Sequence, residues 1–187
     1  MDHVNELHEK LWLLHEELRR LMKERHDRSV PLADELTDRW ERARFLGFGE
    51  GSSIYDSSLV LGNVTVGKDT WIGPGTVLDG SGGLSIGRNC SISAGVQIYS
   101  HDTVAWALSG GREPYVHERT SIGDCCYVGP YTVIAKGVHV GEHCLIGAHG
   151  LVTADIPDYT IAVGTPAKPK GRVIVSPEGK VTLDWQK

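Results

Sequence analysis

The clearest pattern in the chain is an aliphatic residue at every sixth position. The series begins at Ile54, has two extra residues after Leu78, and is interrupted for 24 residues between Ile98 and Ile122. Its members are Ile54, Val60, Val66, Ile72, Leu78, Ile86, Ile92, Ile98, Ile122, Val128, Ile134, Val140, Ile146 and Val152. An α-helix cannot keep these residues on one face, because six steps rotate it by about 600°.

The residues around each aliphatic position repeat as well. Seven of the aliphatic residues are followed directly by glycine, and a small residue such as Thr70, Cys90 or Cys126 usually stands four positions further on. Residues 66–77, VGKDTWIGPGTV, also match residues 122–133, IGDCCYVGPYTV, in character. Repetition at a short fixed period is typical of a solenoid. One strand and one tight turn for every six residues predict a mainly β fold, a left-handed parallel β-helix of four to five coils over residues 52–166.

The flanking segments have other patterns. Residues 4–21 place Val4, Leu7, Leu11, Leu14, Leu18 and Leu21 at helical spacing, and LADELTDRWERARFL predicts a second helix. We therefore expect residues 1–46 to form a helical hairpin that covers the open first coil, with a role in a trimer interface or acceptor site as the alternative. Residues 167–187 form a C-terminal extension, in which VIVSPEGKVTLDW predicts a short hairpin.

Composition and charge limit the classes of partner and the cellular compartment that we expect for the protein. Glycine accounts for 23 of the 187 residues, which indicates many tight turns, and the net charge of −5 does not favour nucleic acid as a partner. No apolar run is long enough to span a membrane, and the charged start MDHVNELHEK is unlike a signal peptide. We expect a cytoplasmic protein without a membrane partner. Cys90, Cys126 and Cys144 fall on the inward small position, and no cysteine spacing indicates a metal site or a disulfide.

Residues 54–170 resemble the hexapeptide-repeat acyltransferases, and among them the sugar O-acetyltransferases of the galactoside, maltose and nodulation type. The resemblance rests first on the six-residue repeats and on the Ser-His-Asp turn at residues 100–102, where the repeat gives way to a loop excursion over residues 101–120. It also rests on two motifs, YVGPYTVIAKGVHVGEHCLIGAHGLVTADIP and GTPAKP at 164–169. It implies transfer of an acetyl group from acetyl-CoA to a sugar hydroxyl of a cell-surface polysaccharide precursor, in a homotrimer whose sites lie between subunits.

The same resemblance assigns the catalytic base to His101. A sugar hydroxyl is a poor nucleophile until its proton is removed, and an imidazole with a near-neutral pKa can remove it. For the acceptor, the resemblance selects Asp79, which could contact the sugar, orient the imidazole or cap a turn. Asp102 could take the orienting role instead, and Trp106 with Tyr115 could form a stacking wall or an interface anchor.

For acetyl-CoA, the resemblance implies a slot beside small residues and cations for the phosphates. The candidate residues are Tyr127, Ala135, Ala148, Lys168, Lys170 and Arg172. The chain departs from the family pattern at Tyr127, where tryptophan is usual, at Ala154, where lysine is frequent, and at Pro130. Pro130 has no N–H, so the donor that would stabilise the thioester oxyanion is unassigned.

Two other functions remain open on the sequence. The first keeps the cofactor and acetylates the amine of a nucleotide-linked amino sugar. The second is a zinc enzyme similar to the γ-class carbonic anhydrases, for which His117, His139 and His143 are the candidate ligands, although the late pair has three intervening residues where that group has four. The expected site therefore contains no metal.

Overall fold

The computed structural model describes residues 2–186. In chain order its helices and strands are α1 (Asp2–His26), α2 (Leu32–Leu36), α3 (Arg39–Phe45), β1 (Ser53–Ile54), β2 (Leu59–Val66), β3 (Trp71–Ile72), β4 (Val77–Ile86), β5 (Ser91–Ile92), β6 (Gln97–Ile98), β7 (His101–Asp102), α4 (Val104–Leu108), β8 (Val116–His117), β9 (Thr120–Ile122), β10 (Tyr127–Val128), β11 (Val133–Ile134), β12 (His139–Val140), β13 (Leu145–Ile146), β14 (Leu151–Val152), β15 (Thr160–Gly164), β16 (Ala167–Val175) and β17 (Val181–Trp185).

The six-residue repeat forms three parallel ladders, which are the three faces of a β-helix. On face A, the aliphatic residues of successive coils pair in the order Ile54, Ile72, Ile92, Val128, Ile146 and Ala162. Face B runs through Val60, Leu78, Ile98, Ile134 and Val152. Face C runs through Val66, Ile86, Ile122, Val140 and Ile156. Of the fourteen predicted aliphatic positions, thirteen are buried and Val60 is partly buried.

The number of coils exceeds the expected four to five. Face A has six stacked parallel strands, which correspond to five complete coils and the start of a sixth. The six-residue count ended at Val152 because the next turn of the chain, between face B and face C, is shorter than the turns before it. Ile156 pairs with Val140 on face C only four residues after Val152, and Ala162 then continues face A.

The glycine that follows seven of the aliphatic residues lets neighbouring coils stack, and does not form the tight turn that the abundance of glycine suggested. A Cβ on Gly73 would lie 2.7 Å from the backbone nitrogen of Ala94 in the next coil. None of these seven glycines has a positive φ. The left-handed position of each corner is two residues further on, and there the chain often has larger residues, such as Asn89, Tyr131 and His149.

The N-terminal segment caps the first coil with two short helices where the sequence predicted one. The helix breaks at Thr37, which is extended, and restarts after Asp38, whose carboxylate accepts hydrogen bonds from the backbone of Trp40 and Glu41. The side chain of Arg42 donates to two carbonyl groups of the first coil, and Ala43 is buried in the core. The cap therefore satisfies backbone groups at the open end of the β-helix.

The C-terminal strands extend face A in antiparallel fashion. β15 pairs with β16, and β16 pairs with β17. The predicted hairpin is present as β16 and β17, joined through residues 176–180. Within the described residues, none of the helices combines the length and the apolar content needed to cross a bilayer.

Candidate active site

The break in the repeat forms an excursion at the edge between faces B and C. The chain leaves face B after Ile98, and β7 pairs with β8 antiparallel, so that His101 stands opposite His117. α4 lies between these strands, and the chain returns to face C at Thr120. The Thr120 hydroxyl donates to the Tyr99 carbonyl at 2.7 Å, which ties the two ends of the excursion together.

His101 is held by a buried carboxylate. Its Nδ1 lies 2.5 Å from Oδ2 of Asp79, which is only 1% exposed, whereas the imidazole side chain is 29% exposed. Leu78 and Ile98 are partners on face B, so the residues that follow them, one coil apart, lie beside each other. The ladder thereby places Asp79 next to the start of the excursion.

Asp79 is kept ionised by its surroundings. Burial alone would raise the pKa of its carboxyl, but hydrogen bonds from Ser81, Ser100 and His101 outweigh burial and lower the pKa to about 2. The backbone N–H of Ser81 donates to Oδ1 and that of Ser100 to Oδ2. Ser100 also donates its hydroxyl to the Asp79 carbonyl at 2.6 Å. Sequence reasoning gave these two serines no role, because small hydroxyl residues at turns have no distinctive pattern.

This arrangement sets the chemistry that His101 can perform. An ionised carboxylate only accepts hydrogen bonds, so Nδ1 carries the proton and Nε2 presents its lone pair. The ring of His117 stacks on that of His101 with a centroid distance of 5.8 Å. The geometry is that of an oriented general base.

The imidazole borders an open groove of about 420 Å³. Its lining includes Tyr99, His101, Asp102, Val133, Ala135 and Lys136. The Lys136 ammonium lies 2.5 Å from Glu118 and 3.6 Å from Asp102, and these bonds raise the pKa of Lys136, the Glu118 bond most strongly. Lys136 thereby joins the beginning and the end of the excursion. Sequence analysis missed this contact, because the excursion lies outside the repeat and its register could not be inferred.

The predicted acceptor residues differ in what they are free to contact. Both oxygens of Asp79 accept hydrogen bonds within the chain: Oδ1 caps the turn through the Ser81 N–H, and Oδ2 faces the Ser100 N–H and Nδ1 of His101. Asp102 accepts from the Val104 backbone and does not bond to the imidazole. Trp106 is 43% exposed on α4, and its ring packs edge-on against Tyr115 at 5.5 Å.

The three faces of the β-helix form a triangular prism, and the predicted cofactor residues lie on different faces and edges of it. Ala135 shares the groove with His101 at the edge between faces B and C. Tyr127 is on face A, and the exposed Ala148 follows face A at the edge toward face B. Lys168, Lys170 and Arg172 are exposed along β16 and pair with no acidic side chain of residues 2–186. A single chain thus brings only Ala135 to the imidazole.

The histidines considered for zinc are likewise dispersed. His117 stacks on His101, His139 lies on face C with Nδ1 2.7 Å from Ser121, and His143 stacks on Tyr159. In the part of the chain that the structure describes, no three histidine, cysteine or carboxylate side chains converge to hold a metal ion.

The fold and the site together define a hexapeptide-repeat β-helix with a carboxylate-oriented histidine at an interruption of the repeat. Comparison with known proteins agrees with this class. Residues 119–154 match the family model described as bacterial transferase hexapeptide (six repeats), and residues 63–100 match that described as hexapeptide repeat of succinyl-transferase.

Two of the curated relatives that the chain matches are sugar acetyltransferases by name. The chain is 29% identical over 124 residues to galactoside O-acetyltransferase of Escherichia coli K12, covering 56% of this chain and 61% of that protein. It is 44% identical over 55 residues to dTDP-3-amino-3,6-dideoxy-alpha-D-galactopyranose 3-N-acetyltransferase of Aneurinibacillus thermoaerophilus, covering 29% of each chain. The chain thus spans less than two thirds of either relative. Over its repeat region it is similar to hexapeptide-repeat acetyltransferases.

Solved structures have the same fold. The D94A mutant of AntD, an N-acyltransferase from Bacillus cereus solved with dTDP and coenzyme A, superposes with a TM-score of 0.60 at 24% identity, over 67% of this chain and 72% of that one. The acetyltransferase domain of PglB from Neisseria gonorrhoeae, solved with acetyl coenzyme A, has a TM-score of 0.53 at 20% identity, over 65% and 50% of the two chains.

Proposed function

We propose that the protein transfers an acetyl group from acetyl-CoA to the hydroxyl of a sugar that is a precursor of a cell-surface polysaccharide. The observation that carries this proposal is the bond between His101 Nδ1 and the buried, ionised Asp79. It leaves Nε2 as the only basic ring atom, at the border of an open groove. Acetyl-CoA and the four free cysteines fit a cytoplasmic compartment.

The reaction follows from this geometry. Nε2 of His101 takes the hydroxyl proton as the sugar oxygen attacks the thioester carbonyl. The tetrahedral intermediate then expels the thiolate of CoA, which takes the proton back from the imidazolium, and the acetyl ester remains on the sugar. Asp79 stabilises the imidazolium while it exists and keeps the ring in position.

We further propose that three copies form the functional unit. Outward residues on face B are mostly apolar, with Leu59, Val77, Val133 and Leu151 around Gln97. Those on face C are polar, with Thr65, Ser85, Ser121 and His139. Burial of face B against other copies would remove apolar surface from water at the edge that holds His101.

A cyclic arrangement also explains why the site residues are dispersed. Three prisms with face B toward a common axis place the edge between faces B and C of one copy beside the edge between faces A and B of the next. His101 and Ala135 of one copy would then meet Ala148 of its neighbour.

N-acetylation of a nucleotide-linked amino sugar is the second candidate. It is supported by the 44% identity over 55 residues to a dTDP-amino-sugar N-acetyltransferase. An amine with a free lone pair needs less help from a base than a hydroxyl, so the two reactions make different demands on His101.

The test measures thiol release from acetyl-CoA with a panel of sugars and nucleotide-linked amino sugars. We expect His101→Ala to lower kcat/KM for the best acceptor by roughly a hundredfold or more, with the oligomer mass unchanged. Near-native turnover of this variant would remove His101 from the role of base. Turnover confined to amino sugars would favour the second candidate.

A further inference from the structure

The first half of α1 presents an apolar seam that the described residues leave largely exposed. Val4, Leu7, Leu11 and Leu14 are 68%, 53%, 49% and 45% exposed, whereas α1 contacts α2 further along, where His15 Nδ1 lies 2.7 Å from Glu35. The seam continues into Leu18 and Leu21, which are partly buried. An exposed apolar stripe of this length is unusual on a protein without a partner at that surface.

The charges along α1 are segregated between its two halves. From His3 to Glu17 there are four glutamates and one lysine, whereas from Leu18 to His26 there are four cationic residues and one glutamate. Two such helices attract each other most strongly when their directions are opposite, because each acidic half then lies along a basic half.

We infer that α1 packs antiparallel against α1 of a second copy. The seam has apolar residues at alternating spacings of three and four, which is the pattern of a helix that packs along another helix. Antiparallel alignment about the middle of the seam sets Leu11 against Leu14 of the second copy, Leu7 against Leu18, and Val4 against Leu21. Each of the four exposed seam residues then has an apolar partner, and the exposed edges of the partly buried Leu18 and Leu21 are covered as well.

The residues beside the seam distinguish the two directions. In the antiparallel register, Lys10 lies beside Glu17 of the second copy, and the symmetry repeats this pair. In a parallel pair, Lys10 would lie beside His15 and Glu17 beside Met22, which offers no ion pair. Charge complementarity therefore selects the antiparallel direction.

Sedimentation of the full chain tests the pairing. We expect Leu11→Glu to halve the mass, whether the unit joined by α1 is one chain or the proposed trimer. Leu13→Glu is the matched control, because Leu13 is 65% exposed on the same helix but lies off the seam. We expect Leu13→Glu to keep the native mass. Equal masses for native protein and Leu11→Glu at micromolar concentration would overturn the inference.

The direction is tested by cross-linking and by charge exchange. In a Cys125→Ser background, whose other cysteines are buried, a mixture of Leu7→Cys and Leu18→Cys chains should form a disulfide between the two variants. Lys10→Glu should weaken association about tenfold and Lys10→Glu with Glu17→Lys should restore it. Disulfides between two Leu7→Cys chains, with none to Leu18→Cys, would overturn the antiparallel arrangement. Acetyltransferase activity is not needed for any of these measurements, so they are independent of the proposed function.

Discussion

Replacing Asp79 with asparagine keeps the volume of the side chain and removes its charge. In the native site, two carboxylate oxygens accept three hydrogen bonds, from the backbone of Ser81, the backbone of Ser100, and Nδ1 of His101. Asparagine offers one acceptor oxygen and an amide that only donates. In either orientation of the amide, at least one of these three donors therefore faces another donor.

The structure sets the expected loss of stability. The pKa of Asp79 is about 2 in the folded protein and about 3.9 in an unfolded chain, so its ionised form contributes about 2–3 kcal/mol at neutral pH. Because the folded pKa is the lower one, this contribution is present above pH 3.9 or so and is lost as the pH falls through 2. We expect Asp79→Asn to lower the free energy of unfolding by about 2–3 kcal/mol at pH 7. Urea unfolding should show this difference shrinking in acid.

The same substitution should lower kcat roughly 10²- to 10⁴-fold. An asparagine amide that donates to Nδ1 moves the ring proton to Nε2, and the imidazole then has no lone pair facing the groove. Asp124→Asn is the matched control, because Asp124 also accepts a backbone hydrogen bond at a corner, from Arg88, but lies on another edge. Asp124→Asn should lower the free energy of unfolding and leave kcat unchanged. Native kcat in a destabilised Asp79→Asn variant would refute an orienting role for the carboxylate.

Two further substitutions test the excursion and the stacking of coils. Lys136→Met should lower kcat/KM about tenfold, because it leaves Glu118 and Asp102 without the cation that joins the ends of the excursion, and Lys136→Arg should restore most of the activity. Gly73→Ala should lower the free energy of unfolding by about 1–3 kcal/mol, since its Cβ would meet the backbone of the next coil. Gly75→Ala, with open space around it and a φ of 66°, should cost about 1 kcal/mol.

The repeat predicted the core because burial imposes it directly. A β-helix buries one side chain from each short strand, so the spacing of Ile54, Ile72 and their equivalents is the spacing of the fold itself. The number of coils was underestimated because the corner between Val152 and Ile156 is short, and a strict period does not detect it. The glycines were correctly linked to the coils, but their reason is close approach of backbones, which only the stacked structure reveals.

From the sequence, the candidate site could be located only at the position where the six-residue repeat is interrupted. His101 stood out because the period is lost immediately after it. The role of Asp79 depended on which residues lie above one another, and the contact between Lys136 and Glu118 depended on how the excursion folds back. α2 and α3 were merged because the capping by Asp38 acts against an otherwise continuous helical pattern.

The separation of the candidate residues on the prism predicts complementation between inactive chains. Ala148→Trp should block the proposed acetyl-CoA slot on one edge, and His101→Ala removes the proposed base on another. If each site combines the edge between faces B and C of one copy with the edge between faces A and B of the next, a mixed oligomer contains some sites with both native residues. Random reassembly of equal amounts should restore about a quarter of native activity, because each of the two contributing edges is native with a probability of one half. Two variants affecting the same edge, such as His101→Ala and Ala135→Trp, should give no recovery. Absence of recovery in the first mixture, with reassembled mixed oligomers demonstrated by mass, would mean that His101 and Ala148 do not serve the same site.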